Sequence, residues 1–135
     1  MTRHVFRCPV RWRDLDAYQH VNNTAFLGFL EEARISLLRG HEAPSGAGRA
    51  GIVVSRHEID YLAPLSWTPD GIDVEVWVTR LGAVSFHLGY VVRDEERVYA
   101  RARSVMVAYD LEARGPRRLT AAETQLLGAV LEEED

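Results

Sequence analysis

The chain has 135 residues, 47% of them hydrophobic, and a net charge of −4, enough for one domain (1–135) with its own core. Its sixteen basic residues are all arginine, dispersed along a mildly acidic chain, which argues against nucleic-acid binding. The first residues show no signal-peptide pattern and no apolar run approaches membrane-spanning length, so a cytoplasmic protein without membrane insertion is expected.

Residues 4–13 alternate loosely between apolar Val5 and Val10 and polar Arg7, Arg11 and Arg13, which predicts a first strand. The one cysteine, Cys8, falls inside it; it permits no intramolecular disulfide and no thiol metal cluster, and a small core hydrophobe is expected. Residues 17–22 read as a turn and 23–39 as a helix. Phe26, Phe29, Leu30, Ala33 and Leu37 recur at spacings of three and four, with Glu31, Glu32, Arg34 and Arg39 largely off that face. Asn22 or Asn23 can cap the start and Gly40 the end.

Residues 41–51, with Pro44, Gly46 and Gly48, read as a loop. Gly46 to Gly51 formally matches a dinucleotide fingerprint. The context is wrong, because the stretch follows a helix and opens a strand, so no nucleotide site is expected there. Strand patterns follow at 52–62, 72–80, 84–93 and 97–109. The clearest places Ile72, Val74, Val76 and Val78 on one face and Asp73, Glu75 and Thr79 on the other. Residues 81–83 and 93–96 are short enough for hairpin turns, so the last three strands should be antiparallel. A basic loop at 114–118 leads to Thr120 and Glu123, a capping box opening a terminal helix, and residues 132–135 are expected to fray. One helix cannot cover both faces of a five-stranded sheet. Trp77 and Val91 fall opposite the apolar faces of their strands, so that side should meet solvent or a partner, and dimerisation is expected.

Several chemistries are excluded. No Gly-x-Ser-x-Gly elbow is present, and without lysine neither a P-loop nor a Schiff-base enzyme is possible. The five histidines lack ligand spacing, so no metal site is expected. What remains is carboxylate chemistry at a helix N-terminus, where unpartnered N–H groups can stabilise a developing oxyanion. Asp16 lies just before that end. It can attack an activated acyl carbon, take a proton from water, or simply hold the turn through side-chain hydrogen bonds. His20 can orient a carboxylate, donate to a leaving group, or bond backbone. Asn22 and Asn23 can be caps, and their backbone N–H groups are donors to a carbonyl oxygen. Asp14 reads as structural.

The run Leu15-Asp16-Ala17-Tyr18-Gln19-His20-Val21-Asn22-Asn23, followed by Phe26-Leu27 and Phe29-Leu30-Glu31-Glu32-Ala33-Arg34, resembles the signature of hotdog-fold acyl-CoA thioesterases. It is similar to the 4-hydroxybenzoyl-CoA thioesterases and the bacterial long-chain acyl-CoA thioesterases. A second block, His57 to Leu65, agrees, and Leu81-Gly82 with Ser85 is a weaker third. The resemblance implies an α+β hotdog fold, a five-stranded antiparallel sheet wrapped around one long central helix, paired into a homodimer or a tetramer. It implies hydrolysis of acyl-CoA with no cofactor beyond the coenzyme A of the substrate. It carries the catalytic carboxylate onto Asp16 and the carbonyl-polarising N–H onto Asn23, with His20 orienting the site. Tyr18, Asn22 and Phe26 become candidate substrate contacts. Ser55, Arg56 and His57 are candidates to complete a partner's site, and Arg101 and Arg103 to meet nucleotide phosphates. Ala17-Tyr18-Gln19 stands where the benzoyl-type motif has Pro-Ala-Gly, which favours a fatty or other aliphatic acyl group over an aromatic one. An acyl-carrier-protein thioesterase and a non-catalytic acyl-CoA sensor are the alternatives on the same fold.

Overall fold

The structure, a computed structural model, describes residues 3–38 and 50–134. Arg39, Gly40, His41 and the glycine-rich run to Arg49 lie outside the described residues. In chain order the elements are β1 (His4–Cys8), a 3-10 turn (Trp12–Asp14), α1 (Asn23–Leu38), β2 (Ala50–Tyr61), β3 (Ile72–Leu81), β4 (Ser85–Arg93), β5 (Val98–Asp110), β6 (Gly115–Pro116) and α2 (Ala121–Gly128). Every pairing between these strands is antiparallel, in the order β1-β3-β4-β5-β2, with β6 beside β5. The two short connections are tight turns, closed by Gly82 N–H to Ser85 C=O at 2.9 Å and Asp94 N–H to Arg97 C=O at 3.1 Å.

The predicted helix face is the buried one. Phe26, Phe29, Leu30, Ala33 and Leu37 of α1 join Val74, Val76, Val78, Phe86, Leu88 and Met106 of the sheet in one core. Burying each large side chain contributes roughly 1.5–3 kcal/mol, and this packing fixes where the start of α1 points. Cys8 is in the same core, as expected. Arg34 departs from the sequence reading: it is buried on the inner face and donates to the Tyr90 hydroxyl at 3.3 Å. His57 Nδ1 lies 2.7 Å from the Ser104 hydroxyl, so polar groups from α1, β4, β5 and β2 sit side by side under the helix.

Three expectations are corrected. The first strand ends at Cys8, because Pro9 has no N–H for the ladder and Asp14 takes the chain into a 3-10 turn. Asp14 is buried, and its carboxylate accepts the Arg11 N–H at 2.7 Å and the Arg11 guanidinium at 3.0 Å, the structural role expected of it. The outer face of the sheet is covered by the chain itself at Trp77 and Val91, both buried. The Arg3 guanidinium lies 3.5 Å above the Trp77 ring, whose other face lies against Gly89. Residues 132–134 are tied down rather than frayed. Val78 N–H donates to Val130 C=O and Glu132 N–H to Val78 C=O, so the chain end takes over the edge of β3 where β1 stops. Glu132 pairs with Arg3 at 2.7 Å and Glu134 with Arg103 at 2.6 Å.

Candidate active site

The turn before α1 is built on Asp16. Its N–H donates to His20 C=O at 2.8 Å and its C=O accepts from Gln19 N–H at 3.1 Å. Its Oδ1 accepts from Tyr18 N–H at 2.8 Å and His20 N–H at 3.3 Å. These bonds hold Gln19 at φ 64°, a left-handed conformation that costs about 1 kcal/mol outside glycine. One carboxylate oxygen is committed to the turn, and Oδ2 has no hydrogen-bond partner among the described residues.

The helix start is defined just as locally. Asn22 Oδ1 accepts from Thr24 N–H and from the Thr24 hydroxyl, each at 3.0 Å, and Asn22 C=O accepts from Ala25 N–H at 2.9 Å. Asn22 is therefore the cap, and Asn23 the first helical residue. The Asn23 N–H has no acceptor among the described residues. It belongs to the end of α1 that carries roughly half a positive charge.

The segment after β2 braces this turn from behind. Leu65 C=O accepts the Val21 N–H at 2.7 Å, Ser66 bridges to His20, and the Tyr61 hydroxyl donates to Asn23 C=O at 3.0 Å. Asp16, His20 and Asn23 then share a cleft of about 290 Å³ with Val21, Phe26, Tyr61, Leu62, Ala63, Pro64 and Leu65. Asp16 and Asn23, each with a polar atom that has no hydrogen-bond partner among the described residues, thus line one cleft together with apolar side chains. A larger hollow nearby is lined by Asp70, Asp73, Asp94, Glu95 and Glu96 against Arg7 and Arg97. That balance of charge suits a phosphate-bearing ligand poorly.

Of the residues singled out in the sequence, Asp16, His20, Asn23 and Phe26 line the cleft, and Asn22 supports it as cap. His20 reaches Asp16 through its backbone, in both directions. Tyr18 contributes its N–H to Asp16 while its ring is 81% exposed and lines no part of the cleft. Ser55, Arg56 and His57 are not brought to it. Ser55 sits at a bulge in β2 and donates to Val105 C=O at 3.3 Å, and Arg56 pairs with Glu58. Arg101 and Arg103 lie on the outer sheet face, in a hollow with Glu58, Asp60, Trp77 and Glu134. Tyr61, Leu62 and Leu65 also belong to the cleft, beyond the residues the sequence pattern singles out. The sequence signal was there, since all three fall in the second family-like block.

Cys8 and His57 are among the titrating groups that burial shifts. Burial pushes the Cys8 thiol up to about 11, which leaves it a core side chain and no nucleophile. Burial, and then the neighbouring Arg34 cation, hold His57 below the usual imidazole range. Among the described residues no three histidine, cysteine or carboxylate side chains are grouped to hold a metal.

Residues 10–130 match the thioesterase-like superfamily. The chain belongs to this superfamily. Its fold is the hotdog fold, and the protein is a thioester hydrolase. It is 28% identical over 125 residues to the acyl-CoA thioester hydrolase YbgC of Escherichia coli, covering 88% of this chain and 92% of that one. A Thermus thermophilus thioesterase solved in complex with coenzyme A and Zn is 32% identical, with a TM-score of 0.77 over 93% of this chain and 92% of that one. A Pseudomonas aeruginosa protein of known structure is 26% identical, with a TM-score of 0.84 over 100% of this chain and 94% of that one. The thioesterase is thus matched along almost its whole length, from before the Asp16 turn to beyond α2.

Proposed function

We propose that this thioesterase hydrolyses a fatty or other aliphatic acyl-CoA to the free acid and coenzyme A, with Asp16 as the reacting carboxylate. One observation carries the reading: Asp16, with an oxygen unpartnered among the described residues, and Asn23, whose N–H is likewise unpartnered among them, line the same cleft. A thioester needs little more. Its carbonyl oxygen would accept from Asn23 N–H, and the negative charge developing there would meet the positive end of α1. Asp16 either attacks the carbonyl carbon, expelling the coenzyme A thiolate and leaving a mixed anhydride for water, or takes a proton from the attacking water. In both routes no metal or redox cofactor is required, because the thioester is already activated. The wall of Val21, Phe26, Leu62 and Leu65 supports an aliphatic acyl group. The names of the E. coli relative and the coenzyme A bound to the T. thermophilus relative support the acyl-CoA class.

The reading includes a second copy of the chain. β2 ends the strand order and exposes Val53, Val54 and Tyr61 along an edge of twelve residues, the kind of edge that proteins cover or pair. Ser55, Arg56 and His57, which do not line the Asp16 cleft of their own protomer, would then be offered to a neighbour. Arg101 and Arg103 would meet nucleotide phosphates only with Glu134 displaced from Arg103.

The test is thiol release from a panel of acyl-CoAs, short to long and aromatic, by the wild type and by Asp16→Asn. Turnover of aliphatic acyl-CoAs that is lost in the variant is expected. A folded variant with near-wild-type turnover would overturn the role given to Asp16, and a preference for aromatic acyl-CoA would overturn the acyl class.

A further inference from the structure

The hydroxyl of Tyr61 is a feature that burial does not explain. The residue is 43% exposed at the end of β2, so an apolar residue would fill its place in the sheet as well. Yet Tyr61 grips the first turn of α1 at two points. The hydroxyl donates to Asn23 C=O at 3.0 Å, across 38 residues of sequence. The ring meets Phe26 edge-on, with centroids 5.4 Å apart and an interplanar angle of 83°. Phe26 is three residues beyond Asn23 and is buried in the core. The start of the helix is thus pinned to the core by Phe26 and to the last residue of β2 by a hydrogen bond.

We propose that Tyr61 is a positioning residue of the active site: its hydroxyl fixes the first carbonyl of α1 and thereby aims the Asn23 N–H into the cleft. This rests on the thioesterase reading above. The physical reason is the looseness of helix ends. The first turn lacks the backbone bonds that hold the interior and frays unless side chains replace them. Here Asn22 supplies one replacement from within the helix, through the Thr24 N–H. Tyr61 adds a tie of another kind from outside, a hydrogen bond donated to the carbonyl of Asn23, the residue whose N–H is the donor. An oxyanion donor contributes only when it already points to where charge will develop, and small displacements are costly. The tie leaves the N–H itself free and restrains the residue that carries it. It also joins the donor to the segment that braces Asp16, through Leu65 C=O on Val21 N–H. Carboxylate and donor are thereby referred to one piece of chain.

The experiment compares wild type, Tyr61→Phe and Tyr61→Leu in the acyl-CoA thiol-release assay, with amide hydrogen exchange measured at Thr24 and Ala25. Tyr61→Phe keeps the ring and loses only the hydroxyl. Its kcat should fall about tenfold with KM within about twofold, its melting temperature should stay close to wild type, and both first-turn amides should exchange faster. Tyr61→Leu should lose at least as much. Unchanged kcat with unchanged exchange overturns the tie. A rise in KM at constant kcat also overturns it, because the hydroxyl would then bind substrate. If the wild type releases no thiol from any acyl-CoA, the thioesterase substrate reading fails, and the exchange of Thr24 and Ala25 in Tyr61→Phe alone decides whether the hydroxyl orders the helix start.

Discussion

Asp16 and His20 are bonded to each other in both directions: the Asp16 N–H donates to His20 C=O at 2.8 Å, and the His20 N–H donates to Asp16 Oδ1 at 3.3 Å. The carboxylate is thus a structural acceptor through Oδ1, while Oδ2 has no hydrogen-bond partner among the described residues and is the oxygen the proposed chemistry would use. An asparagine can keep the first task, since its carbonyl oxygen accepts the same N–H groups. Asp16→Asn should therefore lower kcat by about a thousandfold with a melting temperature close to wild type. Asp16→Ala should lose activity and stability together, because the Tyr18 and His20 N–H groups lose their acceptor. Paired kinetics and thermal melts check both.

Gly89 lies under the indole of Trp77. A Cβ there would sit 2.7 Å from Trp77 Cζ2, and the ring cannot retreat, because Arg3 lies on its other face. Gly89→Ala should cost about 1–3 kcal/mol, the usual penalty of overpacking, read as a lower urea midpoint. Gly28 offers a contrast, with open space around its added Cβ, and Gly28→Ala on the exposed side of α1 should be neutral or stabilising.

Glu123 is buried, accepts the Thr120 N–H at 2.8 Å and takes both Arg117 nitrogens at 2.8 and 2.9 Å. Arg117 also donates to Gly51 C=O at 2.9 Å, linking α2 to the start of β2. Glu123→Ala removes a cap and leaves a part-buried cation short of its partner, and should destabilise by about 3–5 kcal/mol in equilibrium unfolding.

His57 titrates below the usual imidazole value because burial and the Arg34 cation both disfavour its charged form. The unfolded chain, with an ordinary imidazole near pH 6.5, then binds more protons than the folded chain between the two pKa values. Stability from this site is complete above pH 6.5 and declines as pH falls through the window below it. Urea midpoints measured from pH 7.5 down to pH 5 should show this decline in the wild type, and His57→Asn should make it shallower, the remainder coming from His4, which burial also holds below the usual imidazole range.

Much of the fold was legible because it is local. Clean alternation gathers Ile72, Val74, Val76 and Val78 on one face only as a strand, and the Phe26-to-Leu37 spacing gathers its apolar residues on one face only as a helix. The Thr120–Glu123 capping box also stands as the sequence places it. Arg34 misled for the opposite reason: periodicity ranks residues by polarity, and only the neighbouring Tyr90 hydroxyl makes burial of that guanidinium tolerable. Trp77 is buried where the pattern leaves it outward because its cover is Arg3, from the far end of the chain.

The sequence by itself determined where the proposed chemistry would sit. Asp16, the Asn22 cap and the Asn23 N–H lie within eight residues, so turn and helix-end rules suffice to put a carboxylate in the turn before an exposed helix end. Tertiary structure alone decided what surrounds them. Tyr61 and Leu65 reach the site only because β2 runs antiparallel to β5 and delivers its end behind the Asp16 turn, whereas the same pairing turns Arg101 and Arg103 to the opposite face. Short-range hydrogen bonds are written in neighbouring residues; contacts across 38 or more residues depend on strand order and register, which a single residue pattern does not contain.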